Sequence, residues 1–302
     1  MLSPAIIPLQ AIHDATTDKY GIRLFILRTD LNHALISGNK WFKLKYNLQE
    51  AKQQNSSTLL TFGGAFSNHI AATAAAGKEY GFKTIGIIRG EAYKELNPTL
   101  QLAMECGMQV DYVSRALYRD KENLYEYIKQ TFTNEPYYLI PEGGSNSLGV
   151  KGCEEITQHI SIDFDYVCCA CGTGATMAGI TLSLKNKQQA LGFQVLKARD
   201  YIKNEITQWL EKKKSLKAKN TANWGINEDY HYGGYAKTTA ELKHFIKQFE
   251  NDNAIPLDYV YTGKMMAGIY DLIQNGFFRK GETIVAVHTG GLQGNKGFEE
   301  QP

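Results

Sequence analysis

Tyr166-Val167-Cys168-Cys169-Ala170-Cys171-Gly172-Thr173-Gly174-Ala175-Thr176-Met177-Ala178-Gly179 is the stretch on which the fold turns. A short apolar run of strand length passes through two closely spaced glycines straight into helix-forming residues, which is half of a βαβ unit. At such a junction the backbone N–H groups point outward and the helix dipole adds partial positive charge, so an anion is welcome. The hydroxyls of Thr173 and Thr176 add donors. The sixth position of a G-x-G-x-x-G pattern is Met177, and Phe193-Gln194-Val195-Leu196 carries no acidic residue of the kind expected about 20 residues on in a dinucleotide site. The turn therefore fits one phosphate better than a pyrophosphate. On this motif alone an NAD(P)-dependent oxidoreductase and a purely structural turn both stay open.

Outward from that junction the pattern repeats. Strand-length apolar runs at Ile22–Leu27, Thr58–Phe62, Lys83–Ile88, Gln109–Val113, Tyr137–Ile140, Tyr166–Cys171, Gly192–Ala198 and Thr283–His288 alternate with helical stretches. Those stretches are Phe42–Gln53, Asn68–Tyr80, Asn97–Glu105, Lys121–Thr133, Met177–Leu184, Arg199–Trp209, Thr238–Glu250 and Met265–Asn275. Strands separated by helices predict an α/β fold with open, mostly parallel sheets. Glycine turns close several strands, at Gly63-Gly64, Gly90, Gly143-Gly144, Gly172 and Gly290-Gly291, and ligands of such sheets sit at those ends.

Composition narrows the partners. The 302 residues hold 33 basic and 31 acidic side chains, a net charge of +2, which gives no electrostatic reason to expect a nucleic acid or a membrane surface. The lysines of residues 212–219 read as a solvated helix end, because no aromatic residue is interleaved with them. Glycine is in excess over proline, 28 to 7, so backbone comes close to something. The uncharged stretch between Asp165 and Lys185 is too rich in glycine and threonine for a lipid-facing span. Met1-Leu2-Ser3-Pro4-Ala5-Ile6-Ile7-Pro8 has neither a basic start nor a long apolar run, so no secretory leader is expected. Cys106, Cys153, Cys168, Cys169 and Cys171 are odd in number and crowded, which argues against a disulfide framework, and no histidine pair stands near them to complete a metal site. The expectation is a cytoplasmic chain without a metal.

The second constellation is Ser37-Gly38-Asn39-Lys40-Trp41-Phe42-Lys43-Leu44-Lys45, a glycine turn followed by an amphipathic helix. Lys43 and Lys45 fall on the helix and are expected on its solvated face. Lys40 stands at the loop–helix junction beside bulky Trp41, where partial desolvation would lower its pKa and favour imine chemistry.

Five blocks now stand in one order: Ser37-Gly38-Asn39-Lys40, Gly63-Gly64-Ala65-Phe66-Ser67-Asn68-His69, Gly172-Thr173-Gly174-Ala175-Thr176, Tyr261-Thr262-Gly263-Lys264 and His288-Thr289-Gly290-Gly291. Together they resemble the D-cysteine desulfhydrase and 1-aminocyclopropane-1-carboxylate deaminase family of pyridoxal 5'-phosphate enzymes, over essentially the whole chain. The resemblance implies a tryptophan-synthase-β-like fold of two three-layer α/β/α domains. Residues 1–45 and 149–302 would form the larger, cofactor-binding domain and residues 46–148 a smaller, mobile one. It implies that Lys40 forms the imine with the cofactor, that Asn68 bonds the 3′-oxygen of the pyridine ring, and that Gly172, Thr173, Gly174, Ala175 and Thr176 cradle the phosphate.

Ser67, Asn68 and His69, at a glycine turn before a helix, would hold a substrate carboxylate, with simple N-capping the plain alternative for Ser67. Tyr261 matches the family's active-site tyrosine. Tyr235 aligns with another, a buried core tyrosine being its plain alternative. The deaminases carry glutamate and leucine where this chain has Thr262 and Thr289. A threonine hydroxyl stabilises a protonated pyridine nitrogen less than a carboxylate does, so both departures point to the desulfhydrase. The expected reaction is α,β-elimination on a small D-amino acid, D-cysteine first, with Lys40 moving the α-proton and Ser67, Tyr261 and Tyr235 assisting. The cyclopropane deaminase, a D-serine-type dehydratase and a catalytically silent cofactor-binding protein are the alternatives. A homodimer is the implied assembly.

Overall fold

A computed structural model describes residues 4–92, 95–133, 136–185, 187–214 and 223–299. In chain order its elements are β1 (Leu9–Ile12), α1 (Ala15–Tyr20), β2 (Arg23–Leu27), α2 (Asn39–Gln53), β3 (Thr58–Gly64), α3 (Asn68–Tyr80), β4 (Lys83–Arg89), α4 (Pro98–Glu105), β5 (Met108–Val113), α5 (Arg115–Arg119) and α6 (Lys121–Thr131). There follow β6 (Tyr137–Ile140), α7 (Ser147–Cys153), β7 (Tyr166–Cys171), α8 (Ala175–Ser183), β8 (Gln189–Gln194), α9 (Tyr201–Lys214), β9 (Asn223–Asn227), α10 (Ala240–Asn253), α11 (Thr262–Gln274), β10 (Thr283–Val287) and α12 (Lys296–Glu299).

Among the described residues the strands make two sheets, ordered β1-β2-β10-β7-β8-β9 and β5-β4-β3-β6. Every pairing is parallel except β1 with β2, where Leu9 faces Leu27. Each sheet is covered on both faces, which is why its strands are apolar at successive rather than alternate positions. On β7, Val167, Cys169 and Cys171 pack with Met177 and Ile180 of α8 and Ile202 of α9. Cys168 and Ala170 point the other way, against Leu242 and Ile246 of α10 and Met266 and Ile269 of α11. On β3, Leu59 joins the α3 and α4 side, while Leu60 and Phe62 pack with Tyr118, Leu124 and Ile128 of α5 and α6. These are two three-layer α/β/α units, as the family resemblance implies; the alternation of strands and helices predicts their parallel sheets.

Four differences from the sequence reading have local causes. The strand expected at Gly192–Ala198 is β8, three residues earlier, and it stops at Gln194. The Gln194 amide donates to the carbonyls of Leu196 and Ala198, at 3.0 and 2.7 Å, which folds the chain back after the strand ends. The short helix α1 rests on Asp14, whose carboxylate accepts from the N–H groups of Thr16 and Thr17, and on Gly21 at φ 66°. Strand β1 was likewise too short to stand out, and it covers the edge of β2 that would otherwise be open. Lys43 is the fourth and bears directly on the site. Of the lysine run, residues 215–219 lie outside the described residues.

The five cysteines are buried free thiols, and no cluster of metal-ligating side chains occurs among the described residues. No described helix is long and apolar enough to cross a membrane.

Candidate active site

The carboxyl ends of β3, β4, β7 and β10 converge on one cavity of about 500 Å³, reached by Gly64, Arg89, Cys171 and Thr289 from those four ends. Lys40 enters it from the first turn of α2. Gly38 before that helix has φ 71°, and a Cβ there would sit 2.0 Å from the Thr289 carbonyl oxygen, so the two chain segments meet only across glycine. The Lys40 ammonium donates to Asn39 Oδ1 at 2.9 Å. Burial, and then the neighbouring charge of Lys43, bring its pKa down to about 7. A good share of this amine is therefore neutral, and nucleophilic, at neutral pH.

Lys43 corrects the sequence reading: it is 2% exposed, not solvated. It lies one turn beyond Asn39, on the face of α2 that turns toward the cavity. Its Nζ donates to the Gly143 carbonyl at 2.9 Å and to Thr173 Oγ1 at 3.3 Å. Ser145 also donates to Thr173 Oγ1, at 2.7 Å, which leaves the Thr173 hydrogen free to point into the cavity. Asn39 donates to Thr176 Oγ1 at 2.7 Å. Gly174, at φ 76°, occupies the N-cap of α8 without any side-chain capping bond, so the first N–H groups of that helix are open. Open helix N–H groups, a threonine hydroxyl and a buried ammonium are the donor set a phosphate monoester needs. Of the residues expected to cradle a phosphate, Gly172, Thr173, Gly174 and Thr176 line the cavity and Ala175 does not, while Lys43 lines it as well. Lys45, also expected on the solvated face, is partly buried and pairs with Glu155 at 2.6 Å.

The opposite wall is the turn from β3 into α3. Ser67 holds the N-cap position of α3 but makes no capping bond, so its hydroxyl stays free beside the helix N–H groups. Asn68 accepts from the Gln293 amide at 2.7 Å. His69 is buried at 1% exposure. Thr61 gives its hydroxyl hydrogen to the Ile140 carbonyl, so it receives one from His69 Nε2 at 3.0 Å. That network assigns the tautomer and leaves His69 Nδ1 a buried acceptor with no partner. Burial, with Lys40 and Lys43 adding to it, holds the imidazole neutral, its pKa well below the usual value. The His69 side chain thus offers an acceptor to the cavity. The donors on this wall are the Ser67 hydroxyl and the open N–H groups.

Tyr261 and Tyr235 both line the cavity, their rings edge to face with centroids 6.1 Å apart. Tyr261 packs against Gly172, where a Cβ would stand 3.1 Å from the ring. Burial, then its neighbour Tyr235, raise the Tyr261 phenol well above its ordinary pKa. It is a proton donor, not a phenolate. Asp258 sets its backbone by accepting from the N–H groups of Val260, Tyr261 and Thr262 at 2.7–2.9 Å. The Thr262 hydroxyl also donates to Asp258, at 2.6 Å, and Thr262 does not line the cavity. Thr289 does line it.

Sequence reasoning passed over Lys43, Asn39, Ser145, Arg89, Arg119 and Lys264. The signal available for Lys43 was its spacing of four from Asn39, inside a motif already marked at Lys40. Lys264 donates to the carbonyls of His231 and Gly234, at 2.8 and 2.7 Å, and so fixes the loop that carries Tyr235.

Comparison with known proteins agrees with this geometry. Residues 4–290 match the family model described as pyridoxal-phosphate dependent enzyme. A putative 1-aminocyclopropane-1-carboxylate deaminase of Thermotoga maritima is 32% identical over 291 residues, covering 92% of this chain and 91% of the relative. A bifunctional D-cysteine desulfhydrase/1-aminocyclopropane-1-carboxylate deaminase of Arabidopsis thaliana, a mitochondrial protein, is 33% identical over 299 residues, covering 91% of this chain and 73% of the relative. The crystal structure of an ACC deaminase homologue superposes with a TM-score of 0.84 at 28% identity, over 98% of this chain and 93% of that one. The dinucleotide alternative falls with these matches. Related to these proteins over nearly its full length, the chain belongs to the family of pyridoxal-phosphate-dependent enzymes that includes the 1-aminocyclopropane-1-carboxylate deaminases and D-cysteine desulfhydrases.

Proposed function

We propose that the chain catalyses α,β-elimination on a small D-amino acid, with D-cysteine and water giving pyruvate, ammonia and hydrogen sulfide. The observation that carries this reading is the position of Lys40, a half-buried amine lining the cavity between the β7–α8 turn and the free donors of the β3–α3 turn, where burial and Lys43 lower its pKa to about 7. Gly172, Thr173, Gly174, Ala175, Thr176 and Lys43 would hold the cofactor's phosphate, Asn68 its 3′-oxygen, and Thr289 would face its ring nitrogen. Pyridoxal phosphate supplies, when bound, the electron sink for charge developing at the substrate α-carbon.

The Ser67 hydroxyl and the open N–H groups of α3 bind the substrate carboxylate and orient the α-hydrogen. Lys40 Nζ, as the free amine, takes that proton. Tyr261, held neutral, gives a hydrogen bond or a proton to the departing β-substituent, and Tyr235 positions it. Among the residues lining the cavity the carboxylate is Glu142, which is held by Lys121 at 3.1 Å. Without a carboxylate free to face the ring nitrogen, the sink is modest, which suits the loss of a good leaving group better than the opening of a cyclopropane.

In this reading residues 46–148 form the smaller, mobile unit, closing Ser67, Asn68 and His69 onto the larger one made by residues 1–45 and 149–302. The enzyme works in the cytoplasm as a homodimer. A second reading, deamination of 1-aminocyclopropane-1-carboxylate, is favoured by the names of relatives at similar identity. Incubating the cofactor-loaded protein with D-cysteine, D-serine and 1-aminocyclopropane-1-carboxylate separates them. Pyruvate and sulfide from D-cysteine support the first reading. Release of 2-oxobutyrate from the cyclopropane alone replaces it with the second.

A further inference from the structure

A second cavity of about 320 Å³ adjoins the first, and three of its seven lining residues are arginines: Arg89, Arg115 and Arg119. The two cavities share Gly64, Arg89, Arg119 and Tyr235, so the second opens from the side of the first that lies beyond Ser67. Arg89 ends β4. Arg115 and Arg119 are four apart on α5 and therefore share one helix face. Like charges so placed repel one another, and an anion held among them would relieve that repulsion.

No carboxylate of the described residues pairs with any of the three. Glu142, the nearby acid of the first cavity, is held by Lys121. The Arg89 guanidinium lies 5.4 Å over the ring of Tyr118 and close against Gly64, where a Cβ would stand 3.4 Å from Nη2. The bare backbone at Gly64 leaves the guanidinium room at the junction of the two cavities. Tyr118 lines the first cavity and is 3% exposed, with Glu142 and Lys121 as its polar neighbours. Three guanidiniums without a carboxylate partner on one cavity are a donor set for acceptor oxygens.

The cofactor's phosphate does not answer this charge, because its cradle is the α8 N-terminus with Lys43 and Thr173. Nor does an α-carboxylate at Ser67, which already has the free donors of α3. We propose that the arginine cavity is an anion subsite for the far end of the substrate, so that the preferred amino acid carries a carboxylate, sulfonate or phosphate on its β-substituent. This rests on the assignment of the chain as an amino-acid-cleaving pyridoxal-phosphate enzyme and narrows its substrate class: D-cysteine would be a minimal substrate that leaves the arginines unused.

The test is a binding comparison on the cofactor-loaded protein, read by calorimetry and by the change in its visible absorbance. Three probes of graded charge are D-2-aminobutyrate, D-glutamate and O-phospho-D-serine. The expected result is that one or both anionic probes bind at least about tenfold tighter than the neutral one, in keeping with a charge-assisted contact. The advantage shrinks as salt is raised, because the guanidiniums are solvent-exposed. Which anion gains more tells carboxylate from phosphate. Arg115→Gln, Arg119→Gln and the charge-keeping Arg115→Lys are compared by the ratio of anionic to neutral affinity. That ratio should fall about tenfold in the glutamine variants and less in the lysine one. Equal affinity for all three probes, or a ratio the glutamine variants leave unmoved, overturns the subsite while the cofactor assignment stands. A protein that takes up no pyridoxal phosphate overturns the parent assignment and this one with it.

Discussion

The two walls of the cleft use their polar groups differently. On the β7–α8 wall the side chains fix one another before any ligand arrives: Lys43 and Ser145 hold Thr173, and Asn39 holds Thr176, with the Thr173 hydrogen and the first N–H groups of α8 left facing the cavity. On the β3–α3 wall they are left free: the Ser67 hydroxyl makes no capping bond, His69 Nδ1 has no partner, and Arg89, Arg115 and Arg119 stand without acids. A preorganised wall suits a ligand that stays, since ordering costs are met at folding rather than at each binding event. A wall of unspent groups suits ligands that come and go, and it is where relatives with the same cofactor can differ in substrate.

The sharpest way to break this contrast is to remove the group that both walls face. Lys40→Ala should abolish the yellow colour of the purified protein and all turnover, with little change in thermal stability. A visible band in the Lys40→Ala protein that borohydride bleaches while fixing the cofactor covalently to that chain would overturn the assignment. In the unmodified protein the covalent capture of pyridoxal phosphate should accelerate as pH rises through about 7 and then level off, because the lysine is lowered to that value and its neutral form is the nucleophile. An ordinary lysine, with a pKa of 10.5 as in the reference state, would still be gaining rate several units higher.

Lys43→Met tests the cofactor wall itself and should have the next largest effect. Loss of a charge-assisted bond of about 2 kcal/mol would weaken cofactor affinity roughly thirtyfold. It also removes the second cause that depresses Lys40, so the pH midpoint for capture should move upward. A fall in cofactor affinity without that movement would mean the two ammonium groups do not sense each other. A movement without the fall would place the phosphate elsewhere.

The same contrast explains what the sequence let us read. The glycine turn of residues 172–176 and Lys40, which both line the cavity, lie within contiguous motifs, where glycine spacing and a strand-to-helix junction carry local physical meaning. Lys43 escaped because a lysine in a helix is read by its charge, whereas its position depends on a face that turns inward only once α2 docks on α7 and on the Gly143 carbonyl. The arginines escaped for a different reason: Arg89 ends one strand and Arg119 ends a five-residue helix, and only the sheet order brings them together. Thr262 shows the converse. Its block reads as a site motif, yet its hydroxyl is taken by Asp258, four residues earlier, in a local turn that residue-type matching does not reveal. Strand β8 was misplaced by a side chain, Gln194, that completes backbone bonds no propensity anticipates.

The smallest expected effect concerns a residue that touches neither wall's ligand. Lys264 is buried on α11 and gives its hydrogens to the carbonyls of His231 and Gly234, the loop whose next residue is the Tyr235 that packs on Tyr261. Lys264→Met keeps most of the volume and leaves two carbonyls short of a donor, which should cost about 2 kcal/mol in stability and appear as a fall of several degrees in Tm. If the loop positions Tyr235, kcat should drop several-fold while KM and cofactor affinity hardly move, and Lys264→Arg should recover part of it by restoring the donors. Burial lowers the Lys264 pKa to about 8. Between that value and 10.5 the unfolded chain binds more protons than the folded one, so this lysine's contribution makes the protein more stable as pH rises across that window, and the slope should be lost in the methionine variant. Loss of Tm with kcat unchanged would make Lys264 a structural strut alone and leave Tyr235 placed by its packing on Tyr261.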